Sequence, residues 1–384
     1  MPDISSQLEP QPINGQPSGL KCCKKSPICK ILLWAGSIII AIIIGVAVSC
    51  VVWYNIQLSP VGGDMGQLQK ITVPKDSTLG QISAQLEEKL IIRSANAFNI
   101  YVRLSGKSNV LQAGIYRLSP AETIPQIVEH FVKGSVDKFK IMFYPGATLT
   151  DTTDTERSKK YDVTTVLQNA GYSDSEIAMA LEKTYYSPSQ LFAHKPASAD
   201  LEGYVYGDTY SFNTGATVED ILSATFDEFY KVVQDNNLVN EFSSHGLNLY
   251  QGITLASIVQ REINSPEGSQ PSTDQKQAAQ VFYSRIASGD KLGSDVTYQY
   301  ISDKNGVPRD VNIDSPYNTR RYTGLPPGPI AAPGLTALLA VANPADTNYL
   351  YFLSGDDNIT YFASTNAEHE ANIVNHCQVK CSTP

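Results

Sequence analysis

Residues Thr254-Leu255-Ala256-Ser257-Ile258-Val259-Gln260-Arg261-Glu262 carry an acid at the end of an apolar helical pattern. Leu255, Ile258 and Val259 fall at i, i+3 and i+4 and Glu262 at i+7, so a helix here turns one carboxyl group toward the side that packs. Apolar surroundings penalise the charged form of an acid. Such a Glu keeps its proton to higher pH and can act as a general acid near neutrality. Two structural readings compete: a helix-end Glu that reaches solvent, or one neutralised by Arg261 or Arg285.

Two further segments are hard to explain by packing alone. Leu201 to Tyr210 is dense in aromatics and acids, with Glu202, Tyr204, Asp208 and Tyr210. Ser315-Pro316-Tyr317-Asn318-Thr319 is followed by Gly324-Leu325-Pro326-Pro327-Gly328-Pro329-Ile330, whose Pro and Gly density excludes a regular element and predicts a stiff loop. Tyr faces, Asn amides and carboxylates around a cleft suit a neutral, polyhydroxylated polymer, which needs stacking and hydrogen bonds. The alternative is structural turns with buried Tyr. Residues 263–273 form a loop beside Glu262, either a substrate contact or a plain connection.

Other signatures are absent: no G-x-S-x-G, no G-x-x-x-x-G-K-[ST], no H-E-x-x-H and no G-x-G-x-x-G opening a helix. The five His include no i, i+4 pair, so metal hydrolysis and Ser-His-Asp chemistry lack support. With 29 Lys and Arg against 38 Asp and Glu, the chain also lacks the basic footprint of a nucleic-acid binder.

The elements that must position these residues are legible along the chain. Ile71 to Val73 reads as a strand, Leu79, Ile82 and Leu86 as a helix, and Phe98, Tyr101 and Val102 as another. Ala113 to Leu118 is a second strand, and Ile124 to Phe131 a helix closed by Gly134. Thr78, Thr123, Thr148 and Thr217 each precede an apolar residue after a turn, which predicts repeated Thr caps. Residues 150–160 read as a polar loop, and helices are expected near 163–169, 174–183, 218–235 and 274–289.

Residues 1–30 read as a disordered tail. Ile31 to Tyr54 is apolar for 24 residues, enough to cross a hydrocarbon core of about 30 Å, with Trp34, Trp53 and Tyr54 near its ends. A cleaved signal would have a shorter apolar stretch. Lys21, Lys24, Lys25 and Lys30 precede the span and no charge comes after it until Asp64, which predicts a cytoplasmic N-terminus and an extracytoplasmic remainder. With Asp3 and Glu9 also set aside, 25 basic and 36 acidic residues lie beyond the span. Residues 55–70 are a spacer. Cys22, Cys23, Cys29 and Cys50 belong to the tail and span, while Cys377 and Cys381 are spaced so that they could pair.

Leu201–Tyr210, Leu255–Glu262, Val281-Phe282-Tyr283-Ser284-Arg285, Ser294-Asp295, Ser315–Thr319, Gly324–Ile330 and Asn343-Pro344 resemble, in order and spacing, the endolytic murein transglycosylases, the YceG-like family. The resemblance covers about 70–364. It implies an α+β protein with a single N-terminal transmembrane helix, a LysM-like subdomain at 71–134 and a mixed α+β catalytic domain at 135–384. It also implies a membrane-anchored enzyme that cuts nascent peptidoglycan glycan strands internally between MurNAc and GlcNAc, leaves 1,6-anhydro ends, limits strand elongation and needs no cofactor or metal. Peptidoglycan synthases and division proteins are the partners it suggests.

The resemblance puts catalysis on Glu262 and substrate contacts on Glu202, Tyr204, Asp208, Tyr210, Ser294, Asp295, Tyr317 and Asn318. Where many members carry two acids, this chain has Gln260 and then Glu262, which leaves one carboxylate. It also departs from the family at Val205-Tyr206-Gly207, where Leu-Phe-Pro is usual, and at Val296, where Pro is common after Ser-Asp. Two rivals stand beside this reading. One is a non-catalytic cell-wall scaffold, and the other a hydrolase using Glu202, Asp208 or Asp295 as a second carboxylate.

Overall fold

The structure, a computed structural model, describes residues 27–64, 67–134, 138–150, 162–183, 190–263, 268 and 270–382. Nearly all of the polar loop expected at 150–160, most of the tail 1–30, and residues 264–267 and 269 of the 263–273 loop lie outside them.

The chain divides into two units, 1–57 and 58–384. In the first, helix α1 (Pro27–Leu58) extends past both ends of the expected span, and its Trp34–Leu58 stretch is long and apolar enough to cross a membrane.

The second unit is mixed α+β, as expected. It opens with β1 (Gln69–Val73), α2 (Leu79–Glu88), α3 (Ala95–Leu104), β2 (Gly114–Leu118) and α4 (Ile124–Lys133), the order read from the sequence. The two strands pair antiparallel with Ile71 opposite Tyr116. Phe131 packs edge-on against Tyr116 at 4.6 Å and Phe98 at 6.3 Å, all three buried. This βααβα unit is fastened to Phe139, Ala170 and Tyr172. Arg117, 2% exposed, donates to the carbonyl of Ala170 and lies 3.6 Å from the centre of the Tyr172 ring.

Next come β3 (Lys138–Met142), α5 (Val163–Asn169), α6 (Asp174–Glu182), β4 (Thr209–Asn213), α7 (Val218–Asp235) and α8 (Leu238–Ser244). After them run α9 (Leu249–Glu262), α10 (Thr273–Ser288), α11 (Asp295–Asn305), α12 (Leu335–Ala342), β5 (Tyr351–Ser354), β6 (Thr360–Ala363) and α13 (Asn366–His376). Strands β3 and β4 pair antiparallel, as do β5 and β6. Cys377 and Cys381 form a disulfide after α13.

Capping sets many of the helix starts. Thr78, Thr123 and Thr217 each form a reciprocal capping box with the residue three positions on. Thr148 departs from this expectation: it is buried, makes an isolated bridge to Asp162 and accepts at its carbonyl from Val163 N–H. Backbone pairing there replaces capping.

Helix α9 is the centre of the second unit. Every residue from Gly252 to Val259 is buried, so the helix is enclosed on all sides and not only along the Leu255–Ile258–Val259 stripe. It packs on α12, α10, α8 and α11. Gly252 permits the approach to α8, since a Cβ there would stand 2.1 Å from the Phe242 ring. Gly252→Ala should therefore destabilise the fold by about 1–3 kcal/mol, the usual cost of overpacking. Urea unfolding checks this; an unchanged midpoint would mean that the two helices separate freely.

Candidate active site

The stiff loop expected at 324–330 lies along one face of α9. Tyr250 O–H donates to the Pro327 carbonyl (3.0 Å), Ser257 Oγ accepts from Ile330 N–H (3.0 Å), and Gln260 Oε1 accepts from Gly334 N–H (2.9 Å). Positions 250, 257 and 260 share a helix face. The close fit is fixed at Gly328, where a Cβ would stand 2.3 Å from the Tyr250 hydroxyl. Gln260, at a position where many members of the family it resembles carry an acid, is thus occupied in holding this strap.

Glu262 is the last residue of α9 and half-buried. Its carboxyl group is pushed up to about 7, first by burial and further by the negative charge of Asp295. The Ser294 hydrogen bond and the charges of Arg261 and Arg285 act the other way. The helix C-terminus adds partial negative charge of the same sense as Asp295. Glu262 makes no ion pair among the described residues. Arg285, one expected neutralising partner, donates instead to the carbonyls of Leu350 (2.9 Å) and Leu292.

Ser294 O–H donates to Glu262 Oε1 at 2.5 Å, and Ser294 is buried. Its backbone is clamped by Thr319 and Thr297: Ser294 N–H donates to Thr319 Oγ1 (3.1 Å), and Thr297 O–H donates to the Ser294 carbonyl (2.7 Å). The next residue, Asp295, is exposed and paired with Arg320 at 2.7 Å. Sequence reasoning missed Thr297 and Thr319, although Thr319 closes the Ser315–Thr319 motif.

The other expected contacts fall into two sets. Glu202, Tyr204 and Asn318, expected as substrate contacts, are buried. Glu202 accepts from Leu149 N–H and Tyr300 O–H, each at 3.0 Å, and burial pushes it up to about 7. Tyr204 packs 4.8 Å from Phe192. Asn318 donates to the carbonyls of Val311 and Ile313 (2.9 and 3.0 Å), which makes it a loop brace. Acid and aromatic density read as a cleft in the sequence, but here it builds the core.

Asp208, Tyr210 and Tyr317 keep access. Asp208 is exposed and its side chain accepts from Thr209 N–H (2.6 Å). It lines a depression of about 440 Å³ with Tyr144, Tyr206, Glu228, Gln260 and Gly334. Tyr210 donates to the Tyr206 carbonyl at 3.0 Å. Tyr317 is half-buried against Tyr300 at 5.4 Å. A second depression, of about 540 Å³, is lined by Arg285, Asp290, Lys291, Thr323 and Tyr351. Glu262 lines neither, yet Gln260 borders the first and Arg285, whose charge acts on Glu262, borders the second. Among the described residues no group of three or more His, Cys, Asp or Glu could hold a metal ion.

Comparison with known proteins gives the family. The model of the YceG-like family matches residues 71–375. A Bacillus subtilis protein named endolytic murein transglycosylase is 31% identical over 324 residues, covering 81% of this chain and 86% of its own. A Streptococcus pneumoniae protein of the same name is 26% identical over 353 residues, covering 84% of this chain and 61% of its own. The crystal structure of a YceG-like protein from Listeria monocytogenes superposes with a TM-score of 0.51 at 26% identity, over 79% of this chain and 98% of the other.

Among the described residues Glu202 and Glu262 are held near 7, which gives stability a pH dependence. Each is held at about 7 in the fold against an ordinary value of 4.5, so the folded chain binds more protons than the unfolded one between those values. Stability therefore falls as pH rises across that window, and the cost is complete above about 7. Glu176, held down at about 2 by Ser173 and Lys70, acts in the opposite sense but below the window. His369, lowered by burial, opposes the trend within it. Glu202→Gln removes one of the two acids, so its loss of thermal midpoint between pH 5 and pH 8 should be smaller than the parent's. Equal losses would show that Glu202 does not titrate there.

Proposed function

The chain belongs to the YceG-like family, and from that premise together with the geometry at the end of α9 we infer that it is an endolytic murein transglycosylase with Glu262 as its acid and base. The observation that carries the residue assignment is a half-buried carboxyl group, raised to about 7, whose expected cationic neighbour Arg285 is engaged elsewhere. At neutral pH such a group populates both protonation states.

The reaction needs both. Protonated Glu262 gives its proton to the glycosidic oxygen as the C1–O bond of the muramic acid residue breaks and the electron pair leaves with that oxygen. The resulting carboxylate then takes the proton of the same sugar's C6 hydroxyl while its oxygen bonds to C1. One glycosidic bond is exchanged for a 1,6-anhydro bond, no water is consumed, and Glu262 ends as it began. A hydrolase would need a second carboxylate to activate water. Of the three acids that reading names, Glu202 is sealed and Asp295 is paired with Arg320, which favours the single-acid route, and the exposed Asp208 is the one the product analysis below tests.

Around this centre, the exposed or half-buried Asp208, Tyr210 and Tyr317 are the proposed glycan contacts. The βααβα unit, 71–134, is the proposed LysM-like substrate-capture part, and the proposed catalytic part is 135–384. Helix α1 is the proposed membrane anchor, with the N-terminus cytoplasmic and the catalytic part extracytoplasmic. Peptidoglycan synthases and division proteins are proposed neighbours in the membrane.

Glu262→Gln retains the shape but cannot ionise, and cleavage of purified glycan strands should fall by roughly 10²–10⁴-fold. Mass spectrometry of the parent's products should show internally cut strands with 1,6-anhydro ends; reducing ends would replace this reading with hydrolysis. Because the acid form starts the reaction, activity should decline as pH rises through about 7.

Removing 71–134 should weaken glycan binding more than turnover at saturating substrate, once circular dichroism shows the remainder folded. Loss of saturated turnover would place catalytic machinery in that unit. Protease added to intact protoplasts should digest the part after the span; protection of that part would reverse the orientation.

A further inference from the structure

We propose that Ser294 is a positioning residue for Glu262, whose hydroxyl occupies Oε1 and leaves Oε2 as the atom that gives up and recovers the proton. The proposal rests on the reading of Glu262 as acid and base.

Ser294 stands at the N-cap position of α11, where a Ser hydroxyl normally accepts from a backbone N–H of the first turn. It makes no such bond. The hydroxyl instead donates to Glu262 Oε1 at 2.5 Å, across 32 residues of sequence. A helix start without its usual cap is a local cost that capping cannot explain, and the bond to Glu262 is what the residue makes in its place. The clamp is close-fitting. Ser294 is 3% exposed, its N–H is held by Thr319 Oγ1 and its carbonyl by Thr297 and Thr319 hydroxyls at 2.7 and 3.3 Å. Thr297 and Thr319 are themselves 3.0 Å apart and almost wholly buried. The backbone carrying the hydroxyl is fixed from both sides.

A hydroxyl donates only to an oxygen that carries no proton in that direction, so the bond assigns the two carboxyl oxygens different tasks. Oε1 is an acceptor throughout the cycle. Oε2 holds the proton in the acid form, loses it to the glycosidic oxygen, and takes the next one from the C6 hydroxyl. Because the bond strengthens when the carboxylate is ionised, it also favours the state reached by the first proton transfer.

The test uses the full-length chain in detergent with glycan strands as substrate. Ser294→Ala removes the donor, so the ionised form of Glu262 loses a favourable contact and its proton is held more tightly. The alkaline limb of the pH profile should move to higher pH. Turnover should fall roughly tenfold to a hundredfold through lost orientation, with KM little changed. Ser294→Thr, which keeps the hydroxyl, should restore both. Ser294→Cys keeps the volume but donates weakly, so its limb should move part of the way even if the Ala variant folds poorly. An alkaline limb and turnover equal to the parent's in the folded Ala or Cys variant would overturn the proposal, since a merely packed Ser would lower stability and leave the limb in place. Glu262→Gln is measured alongside. If it retains cleavage, the reading of Glu262 itself fails, an outcome distinct from an inactive Glu262→Gln with an unshifted Ser294→Ala.

Discussion

The strap of residues 324–334 along α9 is the constraint on which the rest of the second unit depends. A helix buried on all sides carries its polar side chains into a place without water, and each must find a partner there. Tyr250, Ser257 and Gln260 find theirs on successive turns of one loop, and Thr254 returns its hydroxyl to the Tyr250 carbonyl. Pro326, Pro327 and Pro329 restrict the loop's dihedrals, so the three bonds are met with little ordering of the chain. The end of α9 is fixed as a consequence, and Glu262 with it.

Among the described residues two acids, Glu202 and Glu262, are raised to about 7 for the same leading cause, and their surroundings separate them. Glu202 has both oxygens engaged, by Leu149 and Tyr300, and is 2% exposed. Its partner Tyr300 also accepts from Lys304, which pairs with the exposed Asp200, so the group belongs to a structural network that runs out to the surface. Among the described residues Glu262 has one oxygen engaged, and it keeps partial exposure. A perturbed acid becomes a candidate catalyst through access and a free oxygen, and the perturbation alone does not separate the two.

Local chemistry was legible in the sequence and long-range chemistry was not. The helix expected at 218–235 stands where the Thr217 cap begins it, because a cap is written within four residues, and those expected near 163–169 and 174–183 form at 163–169 and 174–182. The inward direction of Glu262 was readable only in part: a helix buried all round has no stripe, and the pattern could not tell which neighbour each face meets. Ser294 and Glu262 are 32 residues apart and Thr297 and Thr319 are 22 apart, so no spacing announces their contact. The burial of Glu202, Tyr204 and Asn318 was not legible, because acids, rings and amides that brace a core have the same composition as those that line a cleft.

Arg117 is a rivet. A buried cation seated on the Tyr172 ring, 4.9 Å from Phe139 and donating to Ala170, cannot slide without surrendering contacts that water cannot replace there. The βααβα unit is therefore not a bead swinging on a cord. A load on that unit passes through the pinned joint at Arg117 into Phe139, Ala170 and Tyr172, as through a bolted plate.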